Sequence, residues 1–269
     1  MNALLTHLRY EFKTGVRDPS QLLMNYLFPL AFYVLMGLLM VPLNPTFAQT
    51  MIPAMIAFVT MVAPLLGLPS PLVEAREAGI FRSFKINGVP ALSILAIPTM
   101  TTVFHVLIVS AIIALTAGPV FGAAMPVDWT AFAALTLLTA CTLGALGALI
   151  AVVATDSRSV VLLSQTIFLP SMMLGGMMVP TELLPNALRP LARLLPSTYA
   201  MQAFVGLAYR RETLIAPWLC VLVLLGSAVL AFSLAALLFN WDSRNETRRA
   251  HPALALLAFV PYAVGLLLG

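Results

Sequence analysis

The sequence predicts an all-α integral membrane protein, a bundle of six apolar helices with room for a seventh. Three observations carry that prediction. Of the 269 residues, 61% are apolar and only 9% are charged, against roughly 25% charged in an ordinary soluble domain. The mean hydropathy is +1.00. The charges fall almost entirely between apolar runs of about 18 residues or more, the length that crosses a hydrocarbon core as a helix.

Before the first run, Leu4, Leu5, Leu8, Phe12 and Val16 share one helical face, and Thr6, Arg9, Tyr10, Lys13 and Arg17 cover the rest. This is the pattern of a helix lying in the membrane interface. It reads either as a simple anchor or as a collar that also touches a cytoplasmic partner. The apolar runs follow at 21–41, 50–73, 91–117, 129–154, 160–178 and 216–240. Pro29, Pro64, Pro98 and Pro170 interrupt them. Such breaks are tolerated where neighbouring helices or hydroxyl side chains satisfy the freed carbonyls. A seventh run, 253–269, is marginal: at about 1.5 Å per residue it gives roughly 25 Å, against a core about 30 Å thick.

Basic residues set the orientation. An N-terminus in the cytoplasm places Arg9, Lys13, Arg17, Arg76, Arg82, Lys85, Arg158, Arg244, Arg248 and Arg249 inside, and only Arg189, Arg193, Arg210 and Arg211 outside. That majority favours the N-terminus inside. The net charge of +4 reflects the same bias and does not call for nucleic acid. Cys141 and Cys220 lie in apolar runs without Cys-x-x-Cys spacing and read as small buried hydrophobes.

Between the second and third runs, residues 73–88 concentrate five charges: Glu74, Arg76, Glu77, Arg82 and Lys85. Ile80, Phe81 and Phe84 give the segment an apolar flank, and Gly79 sits at its middle. It reads as a short charged helix, either a solvated positive-inside loop or a handle for a soluble partner. After the fifth run comes a stretch from Gly175 to Pro196 in which Pro185, Pro190 and Pro196 forbid one long straight helix. Leu184, Ala187, Leu188, Leu191 and Leu195 form a stripe opposite Glu182, Asn186, Arg189 and Arg193, so short amphipathic helices dipping into the outer leaflet are expected.

Several chemistries are excluded. There is no Gly-x-x-x-x-Gly-Lys-Ser/Thr phosphate loop, no His-Glu-x-x-His and no Gly-x-Ser-x-Gly, and the histidines His7, His105 and His251 are far apart. The chain is therefore expected to bind no cofactor or metal and to carry no catalytic residue. Proton and ion relays use charged groups inside the membrane. The spans offer only His105 as an acid–base group, Tyr and Cys aside, with Asp128, Asp156 and Arg158 at span ends. His105, Ser164 and Gln165 are candidate pathway contacts, and His105 reads equally as a hydrogen-bonded structural residue. Ala140, Gly144 and Ala148 recur at intervals of four in the fourth run, a spacing that lets helices pack closely within a subunit or between subunits.

On these residues the chain resembles the permease subunits of type-2 ATP-binding-cassette (ABC) exporters. The features that carry the resemblance are the amphipathic N-terminus, the Glu-x-Arg-Glu-x-Gly segment of Glu74, Arg76, Glu77 and Gly79, and the proline-spaced stretch Gly175 to Pro196, ending in Leu-Pro-Ser-Thr-Tyr. The resemblance covers about residues 1–240 as one transmembrane domain, and leaves 241–269 as a cytoplasmic linker plus an extra apolar segment. It implies that Glu74, Arg76, Glu77, Gly79, Phe81, Arg82, Phe84 and Lys85 form a coupling helix gripped by a separate ATPase subunit, which would hold ATP and Mg. It implies that Gly175, Gly176, Pro180, Pro185 and Pro196 belong to outer re-entrant helices closing a pathway. It further implies a homodimer or a heterodimer with a second permease, in the bacterial cytoplasmic membrane, exporting a lipophilic or amphipathic cargo. The 14 methionines suit adaptable contacts, and suit lipid-facing filler equally. Two other classes stay open on the residues alone: an ion-coupled secondary transporter or channel, and a membrane-embedded enzyme or assembly factor.

Overall fold

The computed structural model describes residues 19–241 and 251–268, so the expected interfacial helix before Pro19 lies outside the described residues. Long apolar runs form helices because a buried backbone must satisfy its own hydrogen bonds. The long helices are α1 (Pro19–Leu43), α2 (Met51–Glu77), α4 (Ala91–Phe121), α5 (Trp129–Val153) and α9 (Pro217–Leu238), each long and apolar enough to cross a membrane. Between them come α3 (Ile80–Ile86) and α6 (Ser157–Leu174). The four-residue α7 is Arg189–Ala192, and α8 is Pro196–Ala203 continued by a π-turn over Phe204–Ala208. At the C-terminal side, α10 is a 3₁₀ stretch, Pro252–Phe259, followed by an α stretch, Val260–Leu268. No strand occurs among the described residues. The fold is all-α, as the sequence predicts.

Helix α2 is the hub: 89% of its most apolar window is buried, against 22% for α1. Its Phe58 ring stacks on Phe32 of α1 at 4.0 Å and meets Phe168 of α6 at 6.1 Å. On the far side α2 packs on α4 and α5. Gly147 of α5 makes this approach feasible, because an added Cβ would collide with the Pro64 carbonyl oxygen. Gly144 plays the same part toward the Thr99 methyl of α4, 2.9 Å from where a Cβ would stand. The small residues of α5 thus serve packing within the chain.

Two prolines expected to interrupt spans lie in or beside widened turns. A π-turn over Leu23–Leu27 precedes Pro29 in α1, and another over Val62–Gly67 contains Pro64 in α2. Proline cannot donate to the carbonyl four residues back, and a π-turn absorbs the mismatch without ending the helix. The fifth apolar run does not add a sixth helix long and apolar enough to cross: α6 stops at Leu174 with Gly175 as its C-cap.

Helices α2, α5 and α9 run toward the end of the bundle that carries α3. Arg76 meets the last residues of α5 there, and Phe81 meets Phe239 just after α9. Helix α8 does not cross. Its first turn sits beside Ser171 of α6, through Ser197, and its last residues lie beside Asp128 and Pro217 at the end opposite α3.

The apolar tail packs along α9 in the opposite direction. The Tyr262 hydroxyl donates to Ser227 Oγ at 2.7 Å, and Tyr199 donates to the Tyr262 carbonyl at 3.2 Å. Pro261 touches Gly226, and Gly265 faces Tyr199 and Val223. Its length follows from its geometry. Eight 3₁₀ residues at about 2.0 Å and nine α residues at about 1.5 Å give roughly 29 Å. The 3₁₀ stretch supplies the reach that a uniform α-helix lacks.

Candidate functional site

The charged segment between α2 and α4 is two elements, where the sequence suggested one helix from Glu74 to Lys85. Glu74, Arg76 and Glu77 belong to the last turn of α2, and α3 begins only at Ile80. Gly79 makes the break at φ +75°, with nothing within 4 Å of where a Cβ would stand. Its role is the left-handed backbone, which a side chain would strain, and not close approach.

Arg76 is 7% exposed. Its guanidinium donates to the carbonyls of Ala151 at 3.2 Å and Val152 at 3.1 Å, and also to that of Ala154. Those carbonyls close the C-terminus of α5, the negative end of its macrodipole. The residue is thus a clamp between α2 and α5, not a surface group offered to a partner. Phe81 is likewise turned inward: 4% exposed, it sits 5.8 Å from the Phe239 ring. Phe84 is half-buried. The expectation that Phe81 anchors in a partner is corrected, because its ring is already buried in its own chain. Outward stand Glu74, Glu77, Arg82, Lys85 and Ile86, the last 80% exposed.

Behind α3 lies a cavity of about 280 Å³ between α1, α2, α3 and α4. His105 reaches it from α4, held by Tyr26, whose hydroxyl meets Nδ1. Asn25, Thr101 and Thr102 line it too, and sequence reasoning passed over them. The available signal was an amide inside an apolar run, four residues before Pro29. Ser164 and Gln165 do not join His105. They lie on α6, with Ser164 buried and Gln165 half-buried, so the three candidate pathway residues are split between two places.

At the opposite end, Gly175 is buried where an added Cβ would strike Ser197 Oγ and the Ser171 carbonyl. Gly176 adopts φ +84° and, with Pro180, lines a second cavity of about 290 Å³ beside Gln49, Gln202 and Arg211. Pro185 is exposed, and Pro196 is buried as the first residue of α8. This rim is tied together by Arg211, which donates to the Gln49 carbonyl at 3.2 Å, and by Arg210, 3.3 Å from Asp128. Asp128 caps α5. The Ala131 N–H and then Arg210 hold its carboxyl below the usual range. Among the described residues no cluster of His, Cys, Asp and Glu could hold a metal ion.

The profile of the ABC-2 type transporter family matches residues 2–209, well over half of the chain. The chain belongs to the ABC-2 type transporter family. It is a multi-pass membrane permease of ABC-type transport, the non-catalytic membrane component of such a system. The match ends before α9, so α9 and α10 of this ABC-2 transporter lie beyond it. No curated protein matches the chain. Transporters of this family work generally with an ATP-binding-cassette partner.

Proposed function

We propose that this chain is the membrane-spanning subunit of an ATP-driven exporter. It moves a lipophilic or amphipathic cargo out of a bacterial cytoplasm, paired with a second permease copy or relative. The N-terminus and α3 face the cytoplasm, and a separate ATPase subunit holding ATP and Mg docks on α3. One observation carries this reading: α3 is a short helix with a charged outward face, joined directly to the end of α2 and resting by its inward Phe81 on the residue that follows α9. Gly79 joins it to α2, Arg76 ties the end of α2 to α5, and Phe81 rests on Phe239 after α9.

A push on α3 therefore reaches α2, α5 and α9 together. Those helices in turn border α6, α8 and the segment Gly175–Pro196, the proposed outer gate. Arg82 and Lys85 are suited to an acidic rim on the partner, with Ile86 as the apolar contact. Interface anchors commonly contribute about 2 kcal/mol or more. Arg82→Glu with Lys85→Glu and Ile86→Ala should release the co-expressed ATPase, or uncouple hydrolysis from transport, while the permease still inserts at normal levels. Phe81 is left intact, since its loss would disturb the bundle itself. Co-purification and transport at the native rate in this variant would sink the proposal.

A further inference from the structure

The cavity behind α3 has an unusual lining for its depth. Its α4 wall is the face Ile94, Pro98, Thr101, Thr102 and His105, which spans roughly 16 Å along the helix at about 1.5 Å per residue. Leu72, Ile94 and Phe84 make the part nearest α3 apolar, while Asn25, Thr101, Thr102 and His105 make the inner part polar. Asn25 is 6% exposed, and Thr101 and Thr102 are also more than nine-tenths buried. None of these three side chains hydrogen-bonds to the protein among the described residues. Other span hydroxyls do: Thr99 donates to the Leu95 carbonyl and Thr136 to that of Phe132. Pro98, in the same wall, supplies no N–H to the Ile94 carbonyl.

The polar ends of these three side chains are not sealed off but open onto the cavity, so three converging groups hold out hydrogen bonds that the chain itself does not take up and that a ligand's polar groups can. The lining contains no Asp, Glu, Lys or Arg. A charged headgroup would be buried there without a counter-charge, at high cost. Amide and hydroxyl groups instead both donate and accept, which matches hydroxyl or amide groups on a ligand. At about 280 Å³ the space far exceeds the ~10–15 Å³ that one water needs, and approaches the ~300–1,000 Å³ of small-molecule sites.

We propose that this cavity, within a single subunit, binds the uncharged, hydroxyl- or amide-bearing head of an amphipathic cargo. Asn25, Thr101 and Thr102 are its recognition groups. The proposal rests on the exporter reading for the word cargo, but the site itself is tested without the ATPase. The purified chain in phosphatidylcholine nanodiscs is titrated with three amphiphiles sharing one dodecyl-length tail: monolauroylglycerol, laurate and dodecyltrimethylammonium. Binding is followed by thermal stabilisation and by native mass spectrometry.

Monolauroylglycerol is expected to bind at least about tenfold more tightly than either ion. Asn25→Leu, and separately the near-isosteric Thr102→Val, should each weaken it by about tenfold, one hydrogen-bonded pair's worth. Thr139→Val on α5, outside the cavity, should leave it unchanged. Equal binding of all three heads, or native affinity in both cavity variants, would overturn the site. In the complex with its ATPase, monolauroylglycerol should raise ATP hydrolysis. Binding with flat hydrolysis would overturn the assignment to cargo and mark the occupant as a membrane lipid.

Discussion

Replacing Arg76 by Met retains most of the aliphatic stem and deletes the guanidinium that closes α5. Three carbonyls, those of Ala151, Val152 and Ala154, lose their donor. Hydrogen bonds to a charged group contribute about 1.5–3 kcal/mol each, a gross loss of roughly 5–9 kcal/mol. Against this, the variant no longer buries a cation, whose desolvation costs several kcal/mol. The net loss is about 2–4 kcal/mol. For a chain of this size that corresponds to a fall in Tm of roughly 5–15 °C. Arg76→Lys should recover only part of it, because a single ammonium cannot span three carbonyls as a planar fork does. The control is Lys85→Met, an exposed substitution expected to move Tm by about 2 °C or less. Thermal unfolding of the detergent-purified proteins reads all three. Equal Tm values for Arg76→Met and Lys85→Met would refute the clamp and return Arg76 to the surface.

Gly147→Ala should destabilise by about 3 kcal/mol, the upper end for overpacking, because the new methyl meets a backbone carbonyl that cannot rotate away. Gly144→Ala meets only the Thr99 methyl and should cost clearly less; the reverse ranking in thermal unfolding would contradict the packing described. Tyr262→Phe removes the bond to Ser227 and should cost about 0.5–1.5 kcal/mol. Tyr262→Ala opens a cavity beside Tyr199 and should cost about 3–5 kcal/mol. Both would be silent if the tail did not pack on α9. Asp156 caps α6, and its carboxyl is held below the usual 3.8 chiefly by the Ser159 N–H. Its contribution is therefore present above that ordinary value and lost as pH falls through the lower folded one. Asp156→Asn, titrated by thermal unfolding, should remove this acid-side loss, and an unchanged acid profile would argue against it.

Much of the bundle was legible because a span is written in many residues. Five apolar runs became helices long enough to cross, and the sixth, shorter and interrupted by Ser164, Gln165 and Thr166, became α6. The charged segment was legible as a place but not as a shape. A glycine inside a helix costs only about 1 kcal/mol, so propensity alone could not show that Gly79 turns left-handed and divides the segment. Nor could it show that Arg76 turns inward, since an arginine among charges reads as exposed until the end of α5 arrives beside it. Phe81 was misread for the same reason: its partner, Phe239, is distant in sequence. The tail seemed short because its rise was taken as α-helical throughout.

The direction of α10 governs how this permease can be joined to other domains. Pro252 starts near the α3 end and Leu268 finishes toward the opposite one. Residues added after Leu268 therefore emerge on the face away from α3. A tag for purification or imaging placed there would leave the α3 surface clear, whereas a domain meant to reach Arg82 and Lys85 would need a linker that runs back at least the length of α10.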